Sequence, residues 1–310
     1  MIITESNVKI EFTPVTPDKR DLLIKYLWES DGRGCEVSFA NLCLWGEQMF
    51  AITEGHLVIL TKYAGKHYYP YPIGNGNKKA VIDRIISDSK ERGIRLRLLG
   101  LSSEDIETVD SIYHGRFRFN MKEDSFDYIY DINDLADLKG KKYHGKRNHI
   151  ARFKEAVPHY RVEPISENNM SKIIEMSEAW YAERLDSQDD SSYEMERIAI
   201  KKAVENYSAL GLEGLALMDN DRVIGFTMAS RMSLDTFDVH FEKAYSDIQG
   251  AYPIINQEFA LYIKNKYPEV KYLDREEDMG IEGLRRAKKS YYPHHMIEKY
   301  TAYLEDGYEN

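Results

Sequence analysis

The sequence predicts an α/β protein with mixed sheets (an α+β arrangement), divided into two domains. The chain has 310 residues, which is long for one ordinary hydrophobic core and comfortable for two. Short alternating β-strand patterns are interleaved with helix-periodic patterns in both halves of the chain. A strongly basic segment lies between the halves, so we place the domain boundary there.

The first half begins with a helix and continues with strands. PDKRDLLIKYLWES, from Pro17, predicts a helix with proline in its first turn. HLVILTKY and KHYYPYPI predict a pair of strands, KKAVIDRIISDSKERG predicts a helix that Gly93 ends, and IRLRLLGL predicts a further strand. We therefore assign residues 1–138 to an N-terminal domain.

The basic segment, KGKKYHGKRNHIARFK, contains seven Lys or Arg residues and no acidic residue. We predict a linking helix over residues 139–157, with Ile150 and Phe153 on its buried side. One interpretation is a solvated helix face. The other is a polyanion site in which Tyr143 and nearby histidines stack on RNA. The nucleic-acid-binding candidates are Lys141, Lys142, Lys146 and Arg147.

The second half, residues 158–310, predicts the order β-α-α-β-β-β-α-β-α-β. HYRVEPIS is followed by a helix from Met170 and by a second helix from Tyr193 to Leu210. LEGLALMD, RVIGFTMASRM and FDVHFEKAY predict three strands, the first two joined by a hairpin turn at Asn220–Asp221. A helix to Tyr267, the strand VKYLDRE, the helix IEGLRRAKKSY and a closing strand near MIEKYTAYL complete the domain.

Composition excludes several classes of protein. No apolar run approaches the roughly 20 residues that a membrane-spanning helix needs. The first residues lack a basic stretch followed by an apolar block, so we expect no secretory signal. Cys35 and Cys43 are the only cysteines and form neither a disulfide framework nor a zinc motif. We expect a cytoplasmic protein whose net charge of -10 disfavours nucleic-acid binding outside a local basic patch.

Three strings carry a resemblance to a known family: VHFEKAYSDIQGAYPIIN, EEDMGIEGLRRAKKSYYP and GKRNHIARF. They resemble a bacterial family related to the C-terminal domain of phosphatidylglycerol lysyltransferase, and the resemblance covers essentially the whole chain. It implies two tandem GNAT-like domains, the first degenerate and the second carrying the site. The fold is akin to that of Fem-type transferases, which take an aminoacyl group from aminoacyl-tRNA.

The strand FDVHFEKAY offers two candidate catalytic residues. His240 and Glu242 share one strand face, because side chains two apart point the same way. A histidine can remove a proton near neutral pH, and either residue is a candidate base. The alternative is a structural His–Glu pair.

The candidates for substrate binding come from the end of this strand, from the loop after it and from the following helix. They are Lys243, Gln249, Gly250 and Asn256. A glycine before a helix lets backbone N–H groups approach an anion. In acetyl-CoA-dependent relatives this loop holds the pyrophosphate, but Asp247 and Tyr252 depart from their pattern. We therefore expect acetyl-CoA to bind weakly or not at all, which leaves aminoacyl-tRNA or some other donor open. The alternative for Gly250 is that it serves only as a turn.

A charge reversal follows in LDREEDMGIEGLRRAKKSYYP, residues 273–293. Four acidic residues lie within five positions at a strand end, where α/β sheets open their clefts. We expect Asp278 to hold an amine, and Arg285 and Lys288, which share a helix face, to hold an anion. The alternative is that these charges only stabilise the helix through its dipole.

Other chemistry is not indicated by the sequence. His294 and His295 are adjacent and lack a metal-binding motif, so we predict no metal. Asp238 and His240 have no serine or cysteine nucleophile on a recognisable sharp turn. The leading function is transfer of an acyl or aminoacyl group to an amine or hydroxyl. The alternative is a non-catalytic GNAT-like module that binds RNA or an amino-acid-like ligand.

Overall fold

A computed structural model of the chain describes residues 9–28, 34–63, 65–183 and 190–305. The chain forms two compact units, one of residues up to Phe126 together with those from Ile297, and one of Asp127–Met296. None of the described helices combines the length and apolar character required to cross a membrane.

The elements of the first unit up to Phe126 are strands interleaved with short helices. They are β1 Thr13–Pro14, α1 Arg20–Leu27, α2 Phe39–Leu44, β2 Glu47–Thr53, β3 His56–Tyr63, β4 Lys66–Pro70, β5 Ile73–Gly74, α3 Lys78–Glu91, β6 Arg97–Leu101, α4 Ser103–Tyr113 and β7 Phe117–Met121. Single-turn 3-10 helices lie at Pro17–Lys19, Cys35–Val37 and Glu123–Ser125.

The second unit has the longer helices. Its elements are β8 Asp127–Asp131, α5 Ile132–Asp137, α6 His144–Ala156, β9 Tyr160–Pro164, α7 Met170–Ala182, α8 Asp190–Glu205, β10 Leu212–Asp219, β11 Arg222–Arg231, β12 Thr236–Ala244, α9 Ala251–Lys266, β13 Tyr272–Asp274, α10 Glu282–Lys289 and β14 His295–Ile297. A 3-10 helix at Lys141–Tyr143 precedes α6, and β15 Tyr300–Leu304 returns to the sheet of the first unit.

The first unit is built on a sheet of order β1-β2-β3-β4-β6-β15-β7, with β5 beside β3. Helix α3 begins where Asn77 accepts a hydrogen bond from the backbone of Ala80. Ser102 and Asp105 form a reciprocal capping box at the start of α4. Both helices bury apolar side chains against one face of the sheet, which leaves part of the opposite face open.

The second unit is built on a sheet of order β14-β8-β13-β12-β11-β10-β9. Strands β12 and β13 are parallel and pair only from Thr236 to Asp238. Beyond this stretch β12 continues to Ala244, whereas its neighbour β13 ends at Asp274. The sheet therefore opens beside the second half of β12, and helix α9 follows directly.

A β-bulge lies at His240. The register of β11 and β12 passes from Ala229–Val239 to Met228–Phe241, so that His240 is the extra residue. Bulges redirect side chains and are common beside active sites. This one turns the imidazole towards Ser230 and towards the chain that follows β13.

The mixed α/β fold and the order of elements in the second half are confirmed, as is the turn at Asn220–Asp221, where Asp219 pairs with Arg222. Helix α8 ends at Glu205 rather than at the predicted Leu210, and the chain makes a turn before Gly211. The single closing strand expected near MIEKYTAYL is two strands, β14 and β15. Strand β14 lies in the sheet of the second unit, whereas β15 pairs with β6 and β7.

The boundaries of the compact units differ from those expected at residues 138 and 158. Strand β8 belongs to the second unit because it pairs with β13 through Ile129 and Tyr130. Residues from Ile297 belong to the first because β15 lies between β6 and β7. Strand periodicity does not reveal which strand a segment pairs with, so it could not assign β8 to the second unit or β15 to the first.

Candidate active site

His240 lies at the centre of a buried polar cluster. Its Nε2 atom is 2.8 Å from Ser230 Oγ, and its Nδ1 atom is 3.4 Å from both Asp238 Oδ2 and Glu276 Oε1. The side chains of His240 and Asp238 are fully buried, whereas that of Glu276 is 21% exposed. The cluster is thus a hydrogen-bonded line whose accessible end is the Glu276 carboxylate.

Glu276 is held in an uncommon backbone conformation. Its φ of 57° lies in the left-handed region, which costs a residue other than glycine roughly 1–3 kcal/mol. Its N–H group donates to Asp274 Oδ1 at 2.7 Å, and its carbonyl oxygen accepts from the N–H of Tyr128 at 3.2 Å. Strain that the surrounding contacts maintain is typical of functional sites, and here it turns the carboxylate towards His240.

Glu242 forms a second polar cluster on the same strand. Its carboxylate accepts hydrogen bonds from Asn256 Nδ2 at 2.9 Å and from Arg275 Nη2 at 2.8 Å. Within the described part of the chain, three buried atoms near it have no hydrogen-bond partner: Asn256 Oδ1, Arg275 Nη1 and Thr227 Oγ1. Buried polar atoms are usually bonded, so these three are unsatisfied hydrogen-bonding groups beside Glu242.

Aromatic rings and one lysine surround the Arg275 guanidinium. Its Cζ atom lies 5.5 Å from the ring centre of Tyr130 and 5.0 Å from that of Tyr291. Lys146 Nζ lies 3.6 Å from the centre of the Tyr291 ring and donates to Ser290 Oγ at 2.7 Å. Burial lowers the pKa of Lys146 to about 8, and the positive charge of Arg275 acts in the same direction.

Asp278 is occupied by contacts within the protein. Its carboxylate accepts from Tyr128 Oη at 2.7 Å, from Nε and Nη2 of Arg285 at 2.8 and 3.0 Å, and from the Gly280 N–H at 2.8 Å. The hydrogen bonds from Arg285 lower the pKa of Asp278 to about 2. These contacts favour the structural alternative for Asp278 and Arg285 over the binding of an amine and an anion.

Lys288 is also engaged by the protein. Its side chain is buried, and Nζ donates to the carbonyl oxygens of Arg275 and Glu277. Burial lowers the pKa of the ammonium group. Lys288 therefore holds the segment 275–278 in place, which favours a supporting role over the expected binding of an anion.

Lys243 points to the other face of β12. Its Nζ atom donates to Glu196 Oε2 at 2.7 Å and lies 3.9 Å from the centre of the Trp180 ring. This amine is already paired with a carboxylate and lies away from the clusters of His240 and Glu242. The contacts favour a structural role for this predicted substrate-binding residue.

Gly250 is a turn residue with a packing requirement. Its φ is 86°, and a Cβ atom there would lie 2.3 Å from the carbonyl oxygen of His149 and 2.9 Å from Phe153 Cβ. Helix α6 thus covers the start of α9, where a bound pyrophosphate would have to lie. The contacts favour the turn interpretation, and Gln249 is exposed on the same loop.

The basic segment is more neutralised than its sequence suggests. Lys142 Nζ lies 2.9 Å from Asp134 Oδ2, and Lys139 Nζ lies 2.8 Å from Asp137 Oδ2, so acidic residues of α5 pair with it. Arg147 donates to backbone carbonyl oxygens, including that of Gly140 at 2.8 Å. Tyr143 is fully buried and cannot stack on RNA. Of the four predicted residues, only Lys141 is exposed and has no side-chain hydrogen bond or ion pair with another described residue.

One group of residues has the donor set of a cation site. Ligand atoms of Asp238, His240 and Glu276 lie within 4.8 Å of one another. Two carboxylates and an imidazole suit several divalent cations. The sequence-based expectation of no metal stays a prediction.

The structure therefore brings His240, Glu242 and Asn256 to the open stretch of β12 and adds residues that the sequence interpretation did not select. Ser230 was missed because it faces His240 only through the register of β11 and β12. Arg275 was missed because its chain position carries no motif. Glu276 stood in the acidic run, but only its left-handed backbone distinguishes it from its neighbours.

Comparison with known proteins identifies the family. Residues 29–303 match the family model described as phosphatidylglycerol lysyltransferase, C-terminal. The chain belongs to this family. The resemblance inferred from the three sequence strings is therefore confirmed.

Solved structures confirm the fold of this lysyltransferase C-terminal family. A conserved protein of unknown function from Bacteroides thetaiotaomicron is 38% identical, with a TM-score of 0.89 over 96% of this chain and 100% of that one. L-PGS from Bacillus licheniformis has a TM-score of 0.64 and 16% identity over 96% of this chain and 94% of that chain. A tandem GNAT protein from the clavulanic acid pathway has a TM-score of 0.52 and 9% identity over 97% of this chain and 100% of that chain. The tandem GNAT-like architecture is thus confirmed.

Proposed function

We propose that the chain is an aminoacyl transferase that moves an aminoacyl group from an activated ester to a hydroxyl or amine. One observation carries the proposal: the buried line from Ser230 through His240 ends at the partly exposed carboxylate of Glu276. Proton removal by a positioned carboxylate or histidine is what such a transfer requires. Membership of the lysyltransferase family supports the same reaction class.

In this mechanism Glu276 is the catalytic residue and His240 positions it. The Glu276 carboxylate takes the proton of the acceptor hydroxyl or amine as that atom attacks the acyl carbonyl carbon. The ester bond to the donor then breaks, and the leaving alkoxide oxygen takes the proton from Glu276, which restores the carboxylate. His240 is fully buried, so it acts through Glu276 rather than on the acceptor, and Ser230 holds the imidazole from its other nitrogen.

The cluster around Glu242 suits the polar part of an aminoacyl group. Among the described residues, Asn256 Oδ1 lacks a donor and Arg275 Nη1 and Thr227 Oγ1 lack acceptors, so an aminoacyl group that enters beside the open stretch of β12 can supply an amino donor and a carbonyl acceptor to them. Glu242 keeps Arg275 in place and adds negative charge beside the amino group. This arrangement favours aminoacyl-tRNA, the donor class of Fem-type enzymes, over acetyl-CoA.

A transfer assay tests the proposal. The purified protein is incubated with tRNA charged with labelled lysine or other amino acids, or with labelled acyl-CoA, and with vesicles of phosphatidylglycerol or soluble amines as acceptors. We expect labelled product, and Glu276→Gln should slow its formation about 100-fold or more. Glu282→Gln, an exposed position in the first turn of α10, is the matched control.

The same assay separates the alternative function. A GNAT-like module without catalysis would bind charged tRNA or free amino acid and form no product with any donor. Equal rates for Glu276→Gln and Glu282→Gln would refute the assigned role of Glu276. Product formed only from acyl-CoA would refute the assigned donor.

A further inference from the structure

The open face of the sheet in the first unit contains a cationic pocket. On β6, Leu98 is buried in the core, whereas Arg97 points to the opposite face. On β15, Ala302 and Tyr303 alternate in the same way. Together with side chains from β4 and β7, Arg97 and Tyr303 line a cavity of about 300 Å³.

Tyrosine and arginine side chains alternate across four neighbouring strands of this face. The Arg97 guanidinium lies 5.6 Å from the ring centre of Tyr68 and 5.9 Å from that of Tyr303. The Arg118 guanidinium lies 5.4 Å from the Tyr303 ring on its other side. Stacking between rings holds the planar Arg97 group in one orientation, so little conformational freedom is lost when it binds a ligand.

Arg97 has unused hydrogen-bonding capacity. Its Nε atom is buried without a hydrogen-bond partner among the described residues. Within the described part of the chain its guanidinium contacts the two tyrosine rings and forms no ion pair with a carboxylate. This Nε–H group, together with one Nη group, can donate to two oxygens of an oxyanion.

All charged side chains that line the pocket are cationic. Lys66, Arg97, Lys122 and Lys299 line it, and none of the lining residues is acidic. Lys299 is offset by Glu36, whose Oε2 atom lies 3.0 Å from Nζ. Lys66 and Lys122 are exposed. In a chain of net charge -10, such a concentration of cations attracts an anion to this place.

Neutral donors complete the lining. The Thr301 hydroxyl and the Asn120 amide border the same cavity. Phosphate oxygens readily accept hydrogen bonds from arginine, from lysine and from neutral donors such as hydroxyl and amide groups. The cavity volume lies at the lower end of the roughly 300–1,000 Å³ typical of small-ligand pockets.

We propose that this pocket binds the phosphate group of a small phosphorylated ligand. The guanidinium of Arg97 grips two phosphate oxygens, and Lys66 and Lys122 neutralise the remaining charge. The phosphate can be free or attached to an organic group, and the chemistry of the bound group is the same in both cases. The residues that line the pocket belong to the first unit, whereas those assigned to aminoacyl transfer belong to the second.

Calorimetric titration of the full chain at low ionic strength tests this proposal. The probes are inorganic phosphate, pyrophosphate, ribose 5-phosphate and adenosine monophosphate, with sodium chloride as the control and with an oligonucleotide and anionic vesicles as macromolecular comparisons. We expect saturable binding of at least one probe. Tighter binding of a phosphate ester than of inorganic phosphate identifies an attached organic group, and the reverse order identifies a free phosphate.

Matched variants connect the binding to this pocket. Arg97→Gln and the double variant Lys66→Gln/Lys122→Gln should each weaken binding at least about tenfold, because charge-assisted hydrogen bonds are lost. Lys79→Gln removes an exposed lysine of the same unit, on α3, and should change nothing. The exposed lysines make the double variant informative even if Arg97→Gln fails to fold.

Three outcomes would overturn the proposal. The first is that no probe binds the parent protein. The second is that Lys79→Gln and the double variant weaken binding equally, which would indicate general charge attraction. The third is that only oligonucleotides or anionic vesicles bind, which would identify a macromolecular surface instead of a phosphate pocket.

Discussion

Ser230 Oγ lies 2.8 Å from Nε2 of His240, and the two residues meet across neighbouring strands. Both side chains are buried, so this hydrogen bond determines which imidazole nitrogen faces Glu276. The position of Ser230 therefore has consequences for both stability and proton transfer.

We predict that Ser230→Ala destabilises the second unit and alters its pH dependence. Removing the hydroxyl leaves a buried ring nitrogen without its partner, which costs roughly 1–3 kcal/mol. Urea unfolding measures this cost. The pH profile of transfer should shift in Ser230→Ala and return in Ser230→Thr, and an unchanged profile would limit Ser230 to a packing role.

We predict a large cost for Glu242→Gln. The carboxylate and Arg275 are only 11% and 13% exposed, and the substitution leaves the guanidinium charge buried without its counterion. Breaking a buried pair in this way costs roughly 3–5 kcal/mol. Glu47→Gln is the control, because its pair with Lys62 is exposed and should contribute about 1 kcal/mol or less. Similar unfolding free energies for both variants would contradict the prediction.

We predict that Asp278 stabilises the fold in a defined acid range. Its pKa is lowered from 3.8 to about 2, so its contribution is present above pH 4 and is lost as the pH falls towards 2. A shift of that size corresponds to about 2 kcal/mol. Asp278→Asn should lose this contribution at neutral pH and show a weaker acid dependence in urea titrations. Asp21→Asn, at an exposed site, should behave like the parent.

We predict that the buried position of Lys146 makes the free energy of unfolding rise with pH between about 8 and 10.5. Its pKa is lowered to about 8 from 10.5, so the unfolded chain binds more protons between these values and stability rises with pH there. Lys146→Met should flatten that rise and stabilise the protein below pH 8. Lys141→Met at an exposed position should leave the rise intact. A rise of the same size in both variants would show that another group titrates.

We predict that acetyl-CoA does not bind at micromolar concentration. Helix α6 lies against Gly250, and Asp247 adds negative charge where a pyrophosphate would lie. Calorimetry with acetyl-CoA measures this directly, and a micromolar dissociation constant would contradict it. Gly250→Ala should also destabilise the protein, because a Cβ atom there meets the His149 carbonyl oxygen and the φ is positive.

Much of the fold could be predicted because its signals are local. The turn at Asn220–Asp221 lies between two apolar strand patterns, and Asn220 adopts the positive φ that such turns require. Helix α6 buries Ile150 and Phe153 as their spacing predicts. The charge reversal at residues 273–293 was also evident from the sequence. The sequence could not show that Asp278 and Arg285 bind each other instead of a ligand.

The sequence by itself determined the α/β class, the tandem repeat of elements and the strand that carries His240 and Glu242, since periodicity and turn chemistry act over a few residues. Only the tertiary structure decided what those side chains touch. The bulge at His240, the left-handed backbone of Glu276 and the approach of Arg275 to Glu242 all depend on strand register and on chain segments distant in sequence. Pairing across a sheet joins residues that no local pattern relates, and for that reason the base that we propose, Glu276, was found only in the folded chain.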